Sequence, residues 1–174
     1  MRLVVHAPDR LTAGSRSFRC TIGRNGVRDD KAEGDGATPA GQFALHRVIY
    51  RADRLSRPDT GLPAAALAED LGWCDDANEP LYNQPVQLPF AGSHEVLWRE
   101  DSVYDVIVVL GHNDSPPVPG KGSAIFMHVA QPDYGPTDGC IALALADLLE
   151  VLALCGPGDT IEINPGGAAD AHRK

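Results

Sequence analysis

Glycine and proline interrupt this sequence at short intervals, 18 and 14 times in 174 residues. Both lie above average usage, which favours many short elements joined by tight turns, hence a β-rich fold over a helical bundle. The apolar runs agree. Arg2–Ala7 and Arg16–Ile22 read as strands, with a hairpin turn around Ala13-Gly14 between them. Gln42–Tyr50 reads as a third strand, placing Phe43, Leu45 and Arg47 on one face and Ala44, His46 and Val48 on the other. Val103–Leu110 is continuously apolar at its core, the mark of a central strand, and Ala124–Val129 is a short one. The spacing predicts one clear helix, Ala146–Leu154, stopped by Gly156-Pro157-Gly158, and Thr160–Ile163 closes the sheet. Gly23–Ala40 reads as an exposed loop without helix or strand, and Gly111–Ser123 as another. Arg51–Glu100 reads as a long irregular excursion, of the kind that builds lids or binding surfaces.

The length suggests one domain, over residues 1–164, with 165–174 as a flexible C-terminal tail. The net charge is −9, and no block of Lys and Arg appears. Phosphate neutralisation needs a basic face, so nucleic acid is excluded as a partner. No apolar stretch reaches the roughly 18 residues of a membrane span. The N-terminus is too short and polar for a signal peptide, which points to the cytoplasm if the start is taken literally.

The chemistry concentrates at Thr137-Asp138-Gly139-Cys140, twelve residues after His128. Cysteine is a nucleophile only as thiolate, and three features can favour that form. A histidine within reach can take the proton. A position just before a helix gathers backbone N–H groups. Gly139 allows a sharp turn, so that its N–H and that of Cys140 form an oxyanion hole. Spacing alone leaves Cys140 open between this reading and a small buried hydrophobe. Cys20 and Cys155 read as inert and buried, and Cys74 as unassigned. The cysteine spacings fit no zinc pattern.

Other groups carry two readings each. His112 and Asn113 follow the central strand and border the same cleft in a substrate-binding reading, or are structural. With Asp114, His94 and His128 they imitate metal ligands, but no paired ligand spacing exists, so no metal is expected. Tyr134 contacts substrate or packs on the neighbouring prolines. Trp73, Trp98, Tyr82 and Asn83 form a substrate wall or a minicore beneath the excursion. "EGDGATPAG" lacks the Gly-Lys-Ser/Thr ending of a phosphate loop.

His128 followed by Thr137-Asp138-Gly139-Cys140-Ile141-Ala142 resembles the signature of the L,D-transpeptidase (YkuD-type) catalytic domain family. So do Thr38-Pro39-Ala40-Gly41-Gln42-Phe43 and the closing run "ALADLLEVLALCGPGDTIEI". The resemblance spans most of residues 1–163. It implies a mainly β fold with few helices, a YkuD-like β-sandwich or barrel with one helix after the catalytic Cys. It further implies a peptidoglycan stem peptide as partner, in muropeptides or sacculus, and no cofactor. Cys140 forms an acyl-enzyme, His128 moves the proton, and Gly139 shapes the turn; the carbonyl near Val129 orients the imidazole. Thr137, Asp138, Tyr134, His112 and Asn113 become candidate substrate contacts. Transfer to an amine of a second stem crosslinks; transfer to water is L,D-carboxypeptidase action. A carbapenem is an expected covalent ligand, the domain is expected to act as a monomer, and the cell envelope or periplasm becomes the expected compartment.

Two positions depart from the family pattern: Asp138 stands where it has His, and Ala142 where it has Arg or Asn. The His-to-Cys interval is also short. These mark a divergent proteobacterial subgroup, and keep open a non-catalytic peptidoglycan-binding module of the same fold. A cysteine protease or amidase on another fold is the remaining alternative. An acid beside a thiolate raises the thiol pKa, so Asp138 is expected to be paired or turned away.

Overall fold

In the computed structural model, residues 1–165 are described. In chain order the strands are β1 (Arg2–His6), β2 (Arg10–Ala13), β3 (Arg16–Arg19), β4 (Val27–Arg28), β5 (Thr38–Pro39), β6 (Gly41–Tyr50) and β7 (Ala64–Ala66). They continue as β8 (Leu71–Cys74), β9 (Pro85–Gln87), β10 (His94–Val96), β11 (Val106–Leu110), β12 (Phe126–Val129) and β13 (Ile141–Leu143). The helix α1 (Leu145–Ala153) precedes β14 (Thr160–Asn164). The mainly β fold with one helix after Cys140 is as the composition and the resemblance imply. The expected tail, 165–174, lies outside the described part from residue 166 on.

One sheet runs in the order β13-β12-β11-β6-β14-β1-β2-β3, with β7 added alongside β6. The continuously apolar β11 lies between β12 and β6, and all five of its residues are buried. A strand covered on both faces has no need of alternation, which is why its sequence shows none. β14 does not close an edge as expected: it sits inside the sheet, parallel to β1 and antiparallel to β6. The opening segment also differs from the reading, because an additional strand, β2, lies between the two expected and pairs with both. Gly14, at φ +60°, makes the β2–β3 turn.

The faces of β6 follow the expected alternation only to Leu45. The register against β11 then slips, Val109 facing Arg47 and Leu110 facing Leu45. Beyond that bulge the buried set changes parity, so Val48 joins Leu45 in one core cluster and Ile49 enters another. Bulges reverse the inward face in this way, and a period-two reading cannot see them.

Two stretches expected to be irregular are organised. Within Gly23–Ala40 the two-residue strands β4 and β5 pair in parallel. Thr38 is fully buried there, its hydroxyl accepting the Gly23 N–H at 2.8 Å. Lys31 and Ala37 are buried as well, so the segment is anchored rather than exposed. The Arg51–Glu100 excursion contains a three-stranded sheet, β10-β8-β9. Trp73 of β8 packs edge-on against Phe126, and its indole N–H donates to Asn83 at 3.0 Å. That makes it part of a minicore, as one of its two readings had it.

Two apolar clusters cover the faces of the sheet. The larger unites Leu3, Leu11, Val108, Met127 and Ile161 with the buried side of α1, where Leu148, Val151 and Leu152 are wholly covered. The smaller, with Ile107, Phe126 and Leu97, includes Cys140 and lies beneath the site described next.

Candidate active site

β12 and β13 run parallel and adjacent, with His128 facing Ala142 in register. Cys140 immediately precedes β13, so pairing alone brings the histidine and the cysteine to neighbouring strands. Both line one cleft of about 650 Å³. The expected placement of Cys140 at a helix start is corrected: β13 and Ala144 intervene before α1, so the helix dipole falls on Ala144 and Leu145 instead.

The thiol is held by the backbone. It donates to the Ala124 carbonyl oxygen at 3.2 Å, and the sulfur accepts the Phe126 N–H at 3.3 Å. Cys140 is 8 % exposed, and that sliver opens to the cleft. Burial pushes the thiol pKa up to about 12; Glu95 adds to the rise, while the Phe126 N–H and Lys31 oppose it. His128 is pushed the other way, to about 4, chiefly by burial. Its Nδ1–H donates to the Val129 carbonyl oxygen at 2.9 Å. A carbonyl only accepts, so Nδ1 carries the proton and Nε2 is left as the acceptor. Burial thus disfavours both charged forms, the thiolate of Cys140 and the imidazolium of His128.

The turn into Cys140 is tied by Thr137. Its hydroxyl donates to the Cys140 carbonyl oxygen at 2.6 Å and accepts the Gly139 N–H at 3.1 Å. The expected use of the Gly139 N–H as an oxyanion donor is therefore corrected, because that hydrogen is engaged within the turn. Gly139 itself is required by space. At φ +148°, a Cβ there would stand 2.8 Å from the Ala37 carbonyl oxygen. Asp138 lines the open side of the cleft, its side chain 84 % exposed, in an ion pair with Arg24. It is paired, which offsets its charge in the cleft.

The remaining expected contacts do not reach the cleft. Tyr134 (φ +53°) stacks under the Arg19 guanidinium, 4.0 Å from its ring centre, and is not among the cleft-lining residues. His112 donates its Nε2–H to the Lys121 carbonyl oxygen at 3.1 Å. Asn113 bonds the Val118 and Gly122 carbonyls and the Val118 N–H. Both organise their own loop and line no part of the cleft.

Sequence reasoning missed the cleft's charged walls. The Gly23–Ala40 segment supplies Arg24, Lys31 and Glu33. The excursion supplies Glu95 and Arg99, and the turn that leads into β11 supplies Tyr104. The Tyr104 ring lies edge-on to His128, centroids 5.3 Å apart, and its hydroxyl donates to Glu95. No local motif marks these residues; only the folding of the excursion over β11 and β12 brings them in. Among the described residues, no group of three or more His, Cys, Asp or Glu is placed to hold a metal ion.

The family model of the YkuD L,D-transpeptidase catalytic domain matches residues 2–163. No curated protein matches the sequence.

Proposed function

Because the chain belongs to the YkuD family of L,D-transpeptidase catalytic domains, we propose that it is a cysteine-dependent L,D-transpeptidase acting on peptidoglycan stem peptides. The observation that carries this reading is the cleft shared by Cys140 and a His128 whose Nδ1 is tied to Val129. That arrangement suits general-base catalysis on a thiol.

The neutral pair defines the first step. Nε2 of His128 takes the thiol proton as Sγ of Cys140 bonds to the carbonyl carbon of the donor stem. The negative charge moves to the carbonyl oxygen, and the Cys140 N–H stabilises it. When the carbonyl re-forms, the C–N bond to the leaving residue breaks and His128 returns the proton to the departing amine. A thioester remains. An acceptor amine then attacks the same carbon, giving a proton to His128. The C–S bond breaks, and the sulfur recovers that proton. Water in place of the amine gives L,D-carboxypeptidase action, the second outcome of the same acyl-enzyme. Val129, acting through its carbonyl, is a positioning residue, as the third member of a catalytic triad is.

This activity places the work in the cell envelope. Among the described residues no helix is long and apolar enough to cross a membrane.

Incubation with disaccharide tetrapeptide, followed by mass spectrometry, tests the reading. Crosslinked dimers are expected. Tripeptide without dimer assigns hydrolysis instead. No change with tetra- or pentapeptide overturns catalysis in favour of a binding module.

A further inference from the structure

Glu95 takes no part in the proton transfers above, yet it lines the same cleft. It sits on β10, paired with β8. Both of its carboxylate oxygens accept from one hydroxyl, that of Tyr104, at 3.1 and 3.2 Å. Tyr104 in turn lies against His128. Glu95 and Cys140 line the same cleft, burial raises the Glu95 pKa, and the Glu95 charge raises that of the Cys140 thiol.

The cations of the cleft are paired with other carboxylates, and only the field of Arg99 reaches Glu95, opposing the rise in its pKa. Arg24 is paired with Asp138, Lys31 with Asp35 and Arg99 with Asp101. Among the described residues, no Lys, Arg or His forms an ion pair with Glu95. A partly desolvated carboxylate without a cation is costly, and a wall that only had to be filled would be more stable with a neutral side chain. It also works against a nucleophilic sulfur, since a nearby negative charge disfavours thiolate. What such a group gains from its position is an incoming positive charge.

We propose that Glu95 is the docking point for a primary ammonium group of the substrate, selecting an amine-bearing acyl acceptor over water at the Cys140 thioester. The inference rests on the reading of Cys140 as the acyl carrier. The docked ammonium loses one proton to solvent, and the free amine so formed, concentrated by Glu95, attacks the thioester carbon and gives its second proton to His128. Tyr104 fixes the carboxylate through its hydroxyl and is a positioning residue here.

The test uses two thiol reagents of opposite charge, 2-aminoethyl and 2-sulfonatoethyl methanethiosulfonate. Each forms a disulfide with Cys140 and expels methanesulfinate, the thiol proton passing to solvent. Rates at Cys140 are followed by peptide mass mapping. Their ratio cancels any change in the thiol's own acidity. The cationic reagent is expected to react faster, with the ratio falling roughly fivefold in Glu95→Gln and persisting in Glu95→Asp. In the unaltered protein, n-butylammonium is expected to slow the neutral methyl methanethiosulfonate at Cys140, and n-butanol is not. An equal ratio in the unaltered protein and Glu95→Gln, or equal protection by the amine and the alcohol, overturns the proposal. Charge preference without products from muropeptides would leave the ammonium site standing and sink the acyl-transfer reading alone.

Discussion

The Nδ1–H of His128 donates to the Val129 carbonyl oxygen at 2.9 Å. The bond is made within one strand, from a side chain to the next residue's backbone, so forming β12 also selects the imidazole tautomer. Nε2 becomes the only nitrogen able to accept a proton. Burial then holds the ring neutral, to about 4.

That neutrality has a consequence for stability. The unfolded imidazole titrates near 6.5, and the folded one about 2.5 lower. Below 6.5 the unfolded chain binds a proton that the folded chain does not. His128 therefore contributes stability that is present above about pH 6.5 and lost as pH falls through 4. The full difference is about 3 kcal/mol. Urea unfolding at pH 7.5 and 4.0 is expected to show a drop of this order in the unaltered protein, and a smaller one in His128→Gln.

The thiol titrates in the opposite sense. With its pKa raised to about 12, Cys140 carries little thiolate at neutral pH. Its alkylation by iodoacetamide is expected to accelerate about tenfold per pH unit from 7 to 10, without levelling off. Peptide mapping separates it from Cys20, Cys74 and Cys155, all buried. A plateau reached by pH 8 would mean a thiolate–imidazolium pair and would contradict the neutral one.

The Thr137–Gly139 turn sets the direction of the sulfur. Gly139→Ala must move the Ala37 carbonyl or its own backbone, costing about 1–3 kcal/mol, and a displaced sulfur loses about 10²-fold in rate. Thr137→Ala removes both hydroxyl bonds and is expected to lower activity in the same way, whereas Thr137→Ser restores it. Thermal unfolding measured beside turnover separates a misplaced turn from a lost fold.

A carbapenem offers a strained carbonyl that the same thiol can open without a leaving peptide. Intact-mass analysis is expected to show one adduct, located at Cys140 and missing from Cys140→Ala.

The parts of this site that sequence made legible are those carried by local chemistry. His128 at a strand end and the Thr-Asp-Gly-Cys turn stand close in the chain, and their neighbouring strands follow from short connections. The strand β11 is visible in an uninterrupted apolar run, and β12 in a short apolar run broken only by His128. Glu95 and Tyr104 were not, because a single Glu in a proline-rich excursion carries no periodic signal. Only the sheet β10-β8-β9 brings it to the cleft that Cys140 lines. Tyr134, His112 and Asn113 were attractive by proximity in sequence, yet the backbone at Tyr134 and Asn113 turns through positive φ, and those residues serve their own loops. The resting charge state was likewise illegible, because it depends on how deeply both side chains are buried.

The central claim is that Cys140 carries the acyl group and His128 moves its proton. Acid quenching during turnover of disaccharide tetrapeptide, followed by intact-mass measurement, tests it most directly. The account predicts a thioester-mass adduct on Cys140, absent from Cys140→Ala and strongly diminished in His128→Ala. Product formation by Cys140→Ala, or an adduct on any other residue, would contradict it.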